Sequence, residues 1–246
     1  MPIVLGPRRS RGISIDKAEC CPPIVRPLIQ PLVCTVPGLP TSARLCDGFT
    51  TFPGPPNWTP FTFGVGSAVL QPSPGLVQFF VPPPENDGRI AQIVGSLAPN
   101  PTTDFFCFCG TIDTEFTGPD PGVGGIALSA TGLGNLLTDP DIFTVTGGAL
   151  PGLGPVQAYR LVIGSGVATT VVDTGILTDT GPHTFKVCNL PGGLVTFTFD
   201  GVPIPVVVVP GSIPNVALPA SIGVTADGNN FPGVTHTVND YCLEVA

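Results

Sequence analysis

Eight cysteines, at positions 20, 21, 34, 46, 107, 109, 188 and 242, are the most concentrated chemistry in this sequence of 246 residues. Adjacent cysteines do not readily bridge each other, so Cys20 and Cys21 each need a separate partner. That partner is a cysteine of another copy, giving an inter-subunit cross-link, or one in the body of the same chain. Cys34 lies further along the same stretch. In Cys107-Phe108-Cys109 the period of 2 in a strand places both thiols on one face. They are acceptors for Cys20, Cys21 and Cys34, or a buried pair of free thiols. The expected cross-linking set is therefore Cys20, Cys21, Cys34, Cys107 and Cys109. Cys188 and Cys242 fall in separate strand candidates and are expected to bridge within the domain.

Other chemistry is sparse. Asp113-Thr114-Glu115 is the one acidic pair on a strand face. Glycoside hydrolysis needs two carboxylates facing one another across a cleft, and this pair reads instead as a solvent face, so no catalytic residue is expected. His183 and His236 have no ligand spacing around them and no Cys-x2-Cys pair exists, so neither a metal nor a cofactor is expected. Asp227-Gly228-Asn229-Asn230 offers oxygen ligands for calcium but reads as a turn. Asn57-Trp58-Thr59 fits the glycosylation acceptor pattern. One Trp and two Tyr provide few sugar-stacking platforms, whereas 15 Phe suit a core.

Two kinds of segment must position these groups. Residues 1–46 form an extended connector arm. Its run from Cys20 to Cys34 has a proline every few residues, which fixes φ and removes donors. Gly12-Ile13-Ser14-Ile15-Asp16 alternates like a short strand. Ile13, Ile15, Ile24, Val25, Leu28 and Leu32 are the apolar residues expected to dock the arm on a sheet edge, its own or a neighbour's. From residue 47 onward, Gly/Pro/Asn/Asp turns separate strand candidates at 61–70, 76–81, 89–97, 104–116, 125–129, 142–146 and 156–163. Six more follow at 168–173, 183–188, 194–200, 204–209, 220–225 and 234–245. About a dozen strands predict an all-β, two-sheet antiparallel jelly-roll sandwich.

Composition narrows the classes. Gly and Pro, 32 of each, interrupt every apolar run, which excludes a helical membrane span. At 42 % hydrophobic residues, the chain is not the low-hydropathy kind that stays disordered. The net charge of -8 is uneven, +4 over residues 1–45 and −12 over the rest, which suggests head-to-tail docking of copies. The alternative is a solvated basic tail. Basic residues are few and not interleaved with aromatics, so nucleic acid is not an expected partner. Met1-Pro2-Ile3-Val4-Leu5 is too short for a signal-peptide core, so no recognisable secretory signal is expected.

The C-terminal third carries a recognisable order. His183-Thr184-Phe185-Lys186-Val187 comes first, then a strand ending Phe199-Asp200-Gly201. Ile222-Gly223-Val224 follows, with a closing Asn239-Asp240-Tyr241 strand. This order resembles the laminin-G-like, concanavalin A-like jelly rolls over residues 47–246, a fold that hosts lectins, glycosidases and structural modules. The Glu-x-Asp-x-Glu strand of the laminarinase-like hydrolases in that group is missing. The Cys20-Cys21 pair, the later Cys34 and the all-β body are similar to bacterial endospore-appendage subunits. That resemblance implies an arm docked into a preceding subunit and locked by inter-subunit disulfides. The expected function is a non-enzymatic, self-assembling filament or layer subunit on a cell or spore surface or outside the cell. Its partners would be copies of itself and also other surface proteins or glycans. The alternative is a surface-displayed carbohydrate-binding module.

Overall fold

The computed structural model describes residues 34–82, 89–116, 123–130, 140–148, 157–178, 180–226 and 233–246. Val33–Ala246 form one compact unit. Its described residues hold fifteen strands. They are β1 (Ala43–Asp47), β2 (Trp58–Phe63), β3 (Ala68–Ser73), β4 (Leu76–Val81), β5 (Arg89–Gly95), β6 (Phe106–Phe116), β7 (Val123–Ser129) and β8 (Ile142–Gly148). Then come β9 (Ala158–Gly164), β10 (Thr169–Leu177), β11 (His183–Leu190), β12 (Leu194–Phe199), β13 (Val202–Ile204), β14 (Ala220–Ala226) and β15 (Val234–Val245). Among the described residues the one helical element is a 3-10 turn at Pro191–Gly193.

All strands pair antiparallel in two sheets. One runs β13-β12-β11-β6-β15-β4-β3, with β1 also on β15, and the other β10-β9-β8-β7-β14-β5-β2. The long β15 has β6 along one side. Its other side is shared end to end, with β4 on residues 234–238 and β1 on residues 241–245. Strand β1 lies in the stretch read from sequence as arm, and its Leu45 is buried in the core.

Between the sheets, Phe106 and Phe108 of β6 meet Phe143 of β8 edge-on at 5.4 and 6.1 Å, a favoured aromatic geometry. Phe185, Phe197 and Phe199 extend this core toward the β13 edge. Eight phenylalanines are buried in the core, whereas Phe52, Phe61 and Phe63 are exposed. Two strand candidates turn out differently. The 61–70 segment is two strands, because Gly64 and Gly66 take positive φ (84° and 80°) and turn the chain. Of 204–209, only Ile204 pairs in a strand, since Pro203, Pro205 and Pro210 supply no ladder donors.

Candidate functional site

The outer face of the seven-stranded sheet carries an unbroken row of residues, one from each strand. Register aligns Phe61 (β2), Gln92 (β5), Gly223 (β14), Gly125 (β7), Thr146 (β8), Arg160 (β9) and Asp173 (β10). At one edge Phe61 is 46 % exposed, with Phe63 two residues on at 54 %. At the other edge Arg160 donates through Nε to Asp173 Oδ2 at 3.0 Å and through NH1 to the Gly148 carbonyl at 2.9 Å. The middle of the row has no side chains. A Cβ on Gly125 would lie 2.7 Å from the Val145 carbonyl oxygen, and one on Gly223 would lie 2.7 Å from Gln92 Cα and closer still to the Ala91 carbonyl oxygen. Neighbouring backbone leaves no room for a side chain at either position. Among the described residues, Gln92 Oε1, Thr146 Oγ1 and the neighbouring Ser221 Oγ are buried oxygens with no hydrogen-bond partner. Buried acceptors of this kind are normally satisfied, so they invite a donor. Strands β7 and β8 are buried on both faces, unlike a strand with one solvated side.

The outer face of the eight-stranded sheet holds the sulfurs. Cys34 bonds Cys109, Cys46 bonds Cys242, and Cys107 bonds Cys188. This corrects the expected cross-linking set: Cys34, Cys107 and Cys109 are paired inside the chain. Cys188 and Cys242 each bridge within the domain, but not to one another. Strand β6 lies between β11 and β15, leaving those two about 9.6 Å apart, too far for a disulfide. Cys188 instead bonds Cys107, directly opposite on β6, and Cys242 bonds Cys46, directly opposite on β1. Lys186 Nζ, opposite Cys109, donates to the Thr35 carbonyl at 3.4 Å. Burial pushes its ammonium below the usual range, while Glu244 pulls the other way. Cys20 and Cys21, and the docking residues Ile13, Ile15, Ile24, Val25, Leu28 and Leu32, lie outside the described residues, as do Asp227 to Asn230.

The remaining candidates are dispersed. Asp113 and Glu115 stand on the outer face of the eight-stranded sheet opposite Thr237 and Thr235 rather than a second carboxylate. Trp58, the one tryptophan, is 1 % exposed and donates from Nε1 to Asp47 Oδ2 at 2.9 Å, so it is a core residue. Tyr159 is equally buried, its hydroxyl accepting from the Thr114 amide at 3.0 Å. His183 shares hydrogen bonds with Asp200 Oδ2 (2.6 Å) and Thr180 Oγ1 (2.7 Å) and stacks on Phe199. His236 is fully buried against Thr114 Oγ1 at 2.9 Å, and burial pushes it down to about 3. The row ending in Phe61 was not legible as a site. Its one sequence signal is the Phe61-Thr62-Phe63 alternation.

No family model and no curated protein matches this chain. Solved structures do match its fold. The carbohydrate recognition domain of Emp47p aligns with a TM-score of 0.53 at 14 % identity, covering 82 % of this chain and 94 % of that one. The lectin UEA-II, complexed with galactose, aligns with a TM-score of 0.54 at 12 % identity, covering 84 % and 99 %. An endo-β-galactosidase from Clostridium perfringens that releases GlcNAcα1-4Gal gives 0.55 at 10 %, covering 81 % and 61 %. The protein is an all-β jelly roll of the legume-lectin, concanavalin A-like fold. The likeness is one of fold.

Proposed function

We propose that this chain is a disulfide-stabilised carbohydrate-binding module that works outside the cell or on its surface. The row across the seven-stranded sheet carries the reading. A sugar offers apolar ring faces, and the exposed edge of the row supplies the matching surface. Phe61 and Phe63 provide the stacking edge, and the buried Gln92, Thr146 and glycine pair form the floor behind it. The binding partners of two of the similar structures, a carbohydrate recognition domain and a galactose-bound lectin, support the same class. Three disulfides suit an oxidising environment. Binding without catalysis is the reading for Asp113 and Glu115, which stand on the other sheet. Glycan-array screening of the whole chain, followed by calorimetry on a hit, tests it. Phe61→Ala should weaken binding about tenfold, in line with the loss of one aromatic contact, while Phe52→Ala, exposed outside the sheets, should leave it unchanged. A chain that binds no glycan sinks the reading.

One observation keeps self-assembly as a second reading. Six cysteines pair inside the body, so a cross-link to another copy falls to Cys20 and Cys21. The excess positive charge of residues 1–45 and the acidic remainder favour arm-to-body docking between copies. Oxidised full-length chain should then run as a ladder on non-reducing gels and form filaments in negative stain, and Cys20→Ser with Cys21→Ser should abolish the ladder. Persistent single particles would dismiss it.

A further inference from the structure

Three cysteines stand side by side across three adjacent strands. Cys46 of β1 is directly opposite Cys242 of β15, and Cys242 is directly opposite Cys109 of β6. Opposed side chains in antiparallel pairs have Cβ atoms about 4.5–5.5 Å apart, so Cys242 has two cysteines near disulfide reach and bonds only one. Cys109 bonds Cys34, whose sulfur lies 3.1 Å from the Cys242 carbonyl oxygen. The Cys34–Cys109 bond therefore rests against β15 at Cys242 itself.

Access to these sulfurs is graded. Cys46 and Cys242 are partly exposed, whereas Cys34, Cys107, Cys109 and Cys188 are buried. A thiol from solution meets the Cys46–Cys242 bond first. Charges of both signs line the path: Arg44 Nε is 2.8 Å from Cys46 Sγ and Lys186 is opposite Cys109, while Glu244 Oε1 lies 4.0 Å from Cys242 Sγ and 3.3 Å from Arg44 Nε. Arg44 favours the Cys46 thiolate as the first leaving group.

We infer that Cys242 is an internal disulfide-exchange site that transfers the bond of Cys109 from Cys34 to itself once Cys46–Cys242 has been reduced. An external dithiol gives two electrons and two protons to Cys46–Cys242 and becomes a cyclic disulfide. Cys242 then releases its proton to solvent, and its thiolate attacks Cys109 Sγ. The Cys109–Cys242 bond forms as the Cys34–Cys109 bond breaks, and Cys34 leaves as a thiolate that takes a proton from water. This second step is redox-neutral. Its product is a free thiol at Cys34, which follows the first 33 residues, with β6 and β15 now joined by a disulfide.

The test is a titration of the native full-length chain with dithiothreitol, quenched in acid, alkylated with a maleimide and mapped by peptide mass spectrometry. At the stage where one disulfide has been lost, label is expected on Cys34 and Cys46, with a Cys109–Cys242 cross-linked peptide. Label on Cys46 and Cys242 with Cys34–Cys109 intact overturns the proposal, as does loss of Cys107–Cys188 first. With Cys46→Ser and Cys242→Ser combined, the Cys34–Cys109 bond should open at least about tenfold more slowly, because the attacking thiol and the accessible bond are both gone. Opening at the wild-type rate also overturns it.

Discussion

Trp58 and His236 show what burial does to a side chain with apparent chemistry. Trp58 is an amphipathic ring of the kind that stacks on sugars, yet its indole packs edge-on to Tyr241 at 5.5 Å and its nitrogen is held by Asp47. Trp58→Phe keeps an aromatic ring and removes the donor from a half-buried carboxylate oxygen. It should cost about 1–3 kcal/mol in urea unfolding and leave glycan binding intact. His236 is neutral in the fold because burial holds its folded value near 3, below the unfolded value of 6.5. Its contribution to stability is therefore complete above pH 6.5. As pH falls from there toward about 3, the unfolded state takes up a proton the folded state refuses, and stability drops by about 1.4 kcal/mol per unit. His236→Gln should flatten that slope, and unfolding midpoints measured from pH 7 to pH 4 check it.

Elements here are fixed by cross-strand links as much as by the core. The turn joining β12 to β13 is Asp200-Gly201, both with positive φ (50° and 76°), the tight two-residue turn that Asp-Gly promises. Asp200 also accepts from the Thr184 amide at 2.9 Å and holds His183, tying the hairpin to the start of β11. Asp200→Ala should cost about 1–2 kcal/mol through the αL residue and its hydrogen bonds, with faster hydrogen exchange at Thr184. If that exchange is unchanged, the tie is not real. The Cys107–Cys188 bond spans 81 residues of sequence between β6 and β11. Replacing both cysteines by alanine should lower stability by about 2–5 kcal/mol, read as a lower denaturation midpoint with unchanged far-UV dichroism.

For the whole molecule, the fifteen strands of the described residues lie between Ala43 and Val245. Deleting residues 1–33 is expected to leave the far-UV dichroism and the cooperative transition in place, and it isolates what the arm does. If binding to glycan persists in the truncated chain while higher-order association disappears, the two proposed functions belong to different parts of the molecule. Loss of the folded transition on truncation would mean that the first 33 residues contribute to the sandwich.

What the sequence determined by itself was local. Period-2 runs of Val, Ile, Thr and Phe between Gly and Pro turns defined β4 and β15 to the residue, because alternation and turn chemistry are properties of a few neighbouring residues. It also placed Cys107 and Cys109 on one face, and the structure agrees, since both sulfurs lie on the outer face of β6. What only the tertiary structure decided was strand adjacency. Cys188 and Cys242 are kept apart because β6 passes between them, and no local pattern says which strands become neighbours. The row from Phe61 to Asp173 draws one residue from each of seven strands spread over more than a hundred positions. Ladder hydrogen bonding between distant segments assembles it, and that register is set by the packed core rather than by any single stretch of sequence.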